Sequence, residues 1–166
     1  EARGVVVVAD TVRDTAASPI LTVMANVEQV QRPASVLAAN HLRVSMDDIT
    51  EHMDGFLAPS DQHIEKVLNF VRNWDRGAPM VVHCYAGISR STASAFAAAC
   101  MLNPNRDEIE IARQIRDRSP IASPNRLIVS LADKALGRDG RMLRALDEMG
   151  PGSMTVEGRP FRLDLE

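Results

Sequence analysis

Met80 to Phe96 reads MVVHCYAGISRSTASAF, and its two ends ask for different structures. Met80, Val81 and Val82 lead into His83 and Cys84, a short apolar run of the kind that forms a buried strand. Ser91 to Leu102 (STASAFAAACML) is rich in alanine and reads as a helix suited to close burial. Between them lies a tight loop carrying Gly87. Strand, glycine loop, helix is the building unit of an α/β domain.

Upstream, Ser60 reads as an N-cap, and Ile64, Val67, Leu68, Val71 and Trp74 recur at helical spacing. Gly77-Ala78-Pro79 ends that helix and introduces the strand. His41 to Met46 (HLRVSM) alternates like a half-buried strand and stops at Asp47-Asp48. Pro33 to Ala38 (PASVLA) is a candidate second strand, and Gly4 to Ala9 (GVVVVA) a buried one.

Downstream, Asn105 to Arg118 turns Ile109, Ala112 and Ile115 inward. A further helix is expected with Ser123 as cap, Pro124 at its first position and Gly137 at its end. Gly140 to Met149 is a shorter helix. Residues 151–166, rich in Gly, Pro and charge, read as an extended C-terminal tail. The expectation is one α/β domain over residues 1–150, with a central, mainly parallel sheet flanked by helices.

The chain has 166 residues, 45% hydrophobic and 25% charged, with a net charge of −3. That suits one globular domain and gives no reason to expect nucleic acid or an anionic membrane as partner. No run approaches the ~18 apolar residues of a membrane span. Two cysteines, Cys84 and Cys100, make no disulfide framework. His41, His52 and His63 lack metal-ligand spacing, so no metal is expected. A reducing, cytoplasmic setting follows, with the protein as a monomer. The missing initiator Met and the closing Leu165-Glu166 are expected of a chain with further residues at its ends.

A loop between a strand's C-terminal end and a helix N-terminus attracts anions, because free N–H groups and the positive end of the helix point into it. Gly87 lets the backbone curl so that the amides of Tyr85, Ala86, Gly87, Ile88, Ser89 and Arg90 converge. Arg90 can fork two phosphate oxygens. A cysteine thiol has a pKa near ~8.5, and one facing a helix N-terminus beside a cation can fall to roughly 3.5–7.5. Cys84 is therefore placed as a nucleophile beneath a bound phosphorus. His83 is expected to be buried and to support the loop, and the Ser91 hydroxyl to donate to the sulfur. No cofactor is needed.

HCYAGISRS resembles the HC-x5-R-[ST] loop of the cysteine-based protein tyrosine and dual-specificity phosphatases, through His83, Cys84, Gly87, Arg90 and Ser91. The likeness extends over about residues 40 to 130 and is to the compact, bacterial-type tyrosine phosphatases. It implies a cysteinyl-phosphate intermediate without metal or cofactor, and a phosphorylated protein or small phosphomonoester as substrate. It also implies an aspartic acid on a separate loop that protonates the leaving oxygen. Asp47, Asp48, Asp54 and Asp61 are the candidates. Asp61 reads as a helix-capping charge, and a position just past HLRVSM favours Asp48, then Asp47. The 36 residues from Asp48 to Cys84 exceed the usual separation by a few, which EHMDGFLAPS absorbs.

A protein tyrosine phosphatase is the expected function, with dual-specificity, small-molecule or lipid phosphatase as the alternative. A non-catalytic module that binds phosphorylated ligands is the less favoured reading. Cys100 reads as a small core hydrophobe, the arginines at 113, 116 and 118 as a solvated helix face, and Pro120 to Asn125 as a candidate pocket wall.

Overall fold

The computed structural model describes the backbone of residues 4–9 and all of residues 19–165. Five strands, β1 (Gly4–Ala9), β2 (Ile20–Val23), β3 (His41–Val44), β4 (Met80–Cys84) and β5 (Phe161–Asp164), form one sheet in the order β3-β2-β4-β1-β5. β3, β2, β4 and β1 run parallel, and β5 closes the far edge antiparallel to β1. Parallel strands end on the same side. The segments that leave β3 and β4 therefore emerge together, where α/β sheets bind their ligands.

Every residue of β2 and of β4 is buried, as strands covered on both faces require. The second strand is thus Ile20–Val23, not the expected Pro33–Ala38. That stretch makes a turn closed by Val36 N–H to Pro33 O at 3.0 Å, and only Val36 is buried. Proline at its start removes a ladder donor, whereas ILTV is uninterrupted and apolar or β-branched.

Five helices follow: α1 (Asp61–Arg72), α2 (Arg90–Leu102), α3 (Glu108–Arg118), α4 (Arg126–Leu136) and α5 (Arg141–Met149). α2 lies across β2, β4 and β1, and its alanines, from Ala93 to Ala99, are all at most 3% exposed. Small side chains let its backbone approach the sheet, and Phe96 fills the space they leave. α1 packs beside β3 and α3 against β5, while α4 and α5 form an outer layer. Among the described residues no helix is long and apolar enough to cross a membrane.

Ser60 caps α1 as expected, in a reciprocal box with His63. α4 begins later than expected. Its cap is Asn125, whose Oδ1 accepts from Ile128 N–H at 3.0 Å, while the Ser123 hydroxyl accepts from Gly152 N–H at 3.1 Å. The expected C-terminal tail supplies β5. Phe161 and Leu163 point into the core and Arg162 and Asp164 outward, a period-2 pattern that the surrounding Gly, Pro and charge obscured.

Candidate active site

Cys84 is the last residue of β4 and is 2% exposed. The loop from Tyr85 to Ser89 turns back over it, with Gly87 at φ +70° supplying the left-handed step that other residues resist. The loop's carbonyls are held from outside. Ala86 O accepts from Gly158 N–H at 2.8 Å, Ile88 O from Ser123 N–H at 3.0 Å, and Ser89 O from Asn125 N–H at 3.2 Å. Thr92 Oγ1 donates to Ile88 O as well, at 2.6 Å.

Ser89 stands at the cap position of α2, yet its side chain makes no cap hydrogen bond to that helix. The hydroxyl donates instead to Asp48 Oδ1 at 2.7 Å. The positive end of α2 is therefore not satisfied by its own cap and faces the loop.

Arg90 Nη1 donates to Met46 O at 2.9 Å, which fixes the guanidinium to the segment just past β3. Its Nε is buried and has no hydrogen-bond partner among the described residues. The Nε edge is the one that forks a tetrahedral oxyanion, and an orphaned buried donor of this kind points to a ligand. Ser91 is fully buried, with its Oγ 3.1 Å from Cys84 Sγ.

His83 is buried beneath the loop, 1% exposed, and its Nε2 lies 2.6 Å from Thr22 Oγ1. The same hydroxyl lies 2.8 Å from Nε2 of His41. A hydroxyl has one proton to give, so at least one imidazole donates to Thr22. Burial, and then the charges of Arg43, His83 and Arg32, lower the His41 pKa from its usual 6.5 to about 4.

The four aspartates separate by geometry. Asp48 Oδ1 accepts from both Ser89 Oγ and Asn125 Nδ2, the latter at 2.8 Å, and its Oδ2 has no hydrogen bond among the described residues. Asp47 Oδ2 accepts from Leu57 N–H at 2.7 Å, and Asp47 N–H donates to Leu57 O, so this residue closes the base of the 47–57 loop. Asp54 is exposed and meets His52 at 3.2 Å. Asp61 opens α1 and pairs with Lys134 at 3.2 Å. Only Asp48 touches the loop that follows Cys84.

Cys100 is buried in α2, and burial, with Glu108 the largest charge effect, pushes its thiol up to about 12. Its carbonyl accepts from Arg138 Nη2 at 2.6 Å. It is a structural thiol. No cluster of three metal-ligating side chains occurs among the described residues.

Thr22 escaped the sequence reading, and Asn125 was expected as part of a pocket wall but not as the cap of α4 or the partner of Asp48. Thr22 lies in a stretch without a clear pattern. Asn125 was hidden behind Ser123 and Pro124, although an asparagine directly before a helical run is itself a cap signal. Of the expected pocket wall from Pro120 to Asn125, Ser123 and Asn125 reach the loop through their backbone amides.

A strand-borne cysteine under an arginine-closed anion loop, with a carboxylate hung beside it from the segment after β3, two strands away, defines a protein-tyrosine-phosphatase-like cysteine phosphatase. Residues 2–104, more than half of the chain, match the family described as "Polymorphic toxin system, DSP-PTPase phosphatase", and the chain belongs to that family. The fold is similar to the crystal structure of DUSP15, at TM-score 0.54 and 22% identity over 80% of each chain. It is also similar to PTPMT1, solved in complex with PI(5)P, at TM-score 0.53 and 20% identity over 76% of this chain and 79% of that one. No curated protein sequence matches the chain significantly.

Proposed function

We propose that this phosphatase hydrolyses phosphomonoesters through a cysteinyl-phosphate intermediate on Cys84, with phosphotyrosine in proteins as its preferred substrate. Arg90 carries the reading. With Nη1 held by Met46 O and Nε buried without a partner, its free edge is set to fork two oxygens of a phosphoryl group over Cys84. The inward amides of Tyr85, Ala86, Gly87, Ile88, Ser89 and Arg90 hold the equatorial oxygens as charge builds in the transition state.

In the first step Cys84 Sγ attacks phosphorus, the ester P–O bond breaks, and Asp48 gives its proton to the departing oxygen. In the second, water attacks the phosphocysteine, Asp48 takes the water's proton, and the S–P bond breaks to release phosphate. Ser91 donates to the sulfur as it leaves, at the 3.1 Å separation observed. His83 acts from behind the loop, through its position.

An ester must reach inward to a cysteine that is 2% exposed, which favours a long aryl phosphate. A groove of about 510 Å³ beside the loop, lined by Asp48, Met53, Ser89, Pro124 and Arg126 among others, offers room for peptide next to the phosphorylated residue. The absence of lysine from the loop disfavours a multiply phosphorylated inositol lipid. Nucleophile, arginine, hydroxyl and acid all come from one chain, so we read it as working as a monomer. Both cysteines are free thiols, which fits a reducing compartment such as the cytoplasm. The test is a panel of phosphotyrosine, phosphoserine and phosphothreonine peptides, inositol phosphates and nucleotides. Phosphotyrosine peptides should give the highest kcat/KM. Equal rates on all three peptide classes would establish dual specificity instead.

A further inference from the structure

The C-terminal segment from Gly150 to Asp164 lies outside the residues that match the family, yet it is bonded to the phosphate loop at Gly158 and to the turn after α3 at several points. β5 seats its end against β1. Its beginning is stapled to the turn after α3. Arg116 Nη2 donates to Gly150 O at 2.9 Å and Nη1 to Pro120 O at 2.6 Å, so this arginine is a tether, where a solvated helix face was expected. Ser153 N–H donates to Pro120 O at 3.0 Å, and Gly152 N–H to Ser123 Oγ at 3.1 Å. Between these anchors Gly158 is buried, and its N–H donates to Ala86 O at 2.8 Å.

In a trans peptide the carbonyl and the following N–H point in opposite directions. A donor that holds Ala86 O outward therefore aims Gly87 N–H inward. Ser123 N–H on Ile88 O and Asn125 N–H on Ser89 O do the same for the amides of Ser89 and Arg90. Ile88 O and Ser89 O also accept from α2, through Thr92 Oγ1 and Ala93 N–H, whereas Ala86 O accepts from Gly158 N–H alone among the described residues. Gly158 supplies the one donor that comes from beyond α5.

The position is also tight for any side chain. A Cβ there would meet Gly87 O and Ile121 Cδ1 at 3.0 Å and Ala86 O at 3.2 Å. Two of those contacts are loop backbone, so any added bulk would press on the cradle itself.

We propose that residues 150–164 are a positioning element of the phosphate loop, with Gly158 N–H orienting the Ala86–Gly87 peptide. The proposal rests on the reading that this loop binds phosphate. The test measures the concentration of inorganic phosphate that half-protects Cys84 from iodoacetate in the full chain. Gly158→Pro removes the N–H and should raise that concentration about tenfold, the loss typical of a hydrogen bond serving a charged group. Gly158→Ala keeps the N–H but crowds the loop, and should give a smaller rise that Ile121→Val partly reverses. Val67→Ala in α1, which costs stability away from the loop, should leave protection unchanged. Protection within twofold of wild type for the folded Gly158 variants, or an equal rise in Val67→Ala, would overturn the proposal. If Gly158→Pro does not fold, Gly158→Ala and its reversal decide alone. Failure of phosphate to protect wild-type Cys84 would overturn the phosphate-loop reading, and the proposal with it.

Discussion

Ser89 Oγ donates to Asp48 Oδ1 across 2.7 Å, a bond that joins residues 41 apart in sequence. It ties the loop after β3 to the loop after β4, and with Asn125 it occupies one oxygen of the carboxylate while leaving Oδ2 for a proton. A positioned acid contributes about 10²–10⁴ in rate. Asp48→Asn should slow hydrolysis by that order for an ester with a poor leaving group, and much less for a nitrophenyl phosphate. Asp47→Asn and Asp54→Asn should show no such dependence on the leaving group. If either does while Asp48→Asn does not, the acid lies there.

Cys84 and Arg90 should separate in a binding assay. Cys84→Ser should abolish turnover yet retain phosphate-ester binding, since Arg90 and the loop amides remain. Arg90→Ala should lower both, with binding at least about tenfold weaker because a charge-assisted fork is lost. A chelator should leave the wild-type rate intact, because the proposed mechanism draws nucleophile and charge stabilisation from side chains and loop amides. A substantial fraction of the wild-type rate in Cys84→Ser would remove Cys84 from the chemistry.

The motif and the elements around it were readable because each is local. Gly87, Arg90 and Ser91 sit at fixed offsets from Cys84, and the helical spacing of Ile64, Val67, Leu68 and Val71 needs no partner to be seen. What stayed hidden depends on contacts distant in sequence. Thr22 matters because β2 pairs with both β3 and β4 and so stands between His41 and His83. Asn125 matters because α4 places it beside Asp48, 77 residues away. β5 is a short alternation whose pairing with β1 is the first thing that distinguishes it from a tail.

The two thiols should differ sharply toward a small alkylating agent. Cys100 lies in the core, its thiol pushed up to about 12 mainly by burial. It should stay unlabelled at neutral pH. Cys84 lies beneath the open cradle, and brief exposure to iodoacetate should modify it first, with phosphate protecting it. Peptide mapping by mass spectrometry decides between them. Equal labelling of both residues would remove the case for an activated Cys84.

The last prediction concerns the support under the loop. Thr22, His83 and the nucleophile's strand are linked through a hydroxyl shared by two imidazoles, at 2.6 and 2.8 Å. Thr22→Val keeps the shape and deletes that hydroxyl, so two ring nitrogens lose their hydrogen bond to it. The cost should be about 1–3 kcal/mol, at about 2–4 °C of Tm per kcal/mol in a chain of this size. His41 adds a pH signature. Its pKa is about 4 in the folded protein against 6.5 ordinarily, so between those values the unfolded chain binds the extra proton. Stability should therefore be full above pH 6.5 and fall as pH drops towards 4, with no further loss from this group below that. His41→Gln cannot take up that proton, and its Tm should vary less over the same window. Melting curves at pH 7, 6, 5 and 4.5 measure both effects, and parallel profiles for wild type and His41→Gln would show that His41 does not titrate with folding.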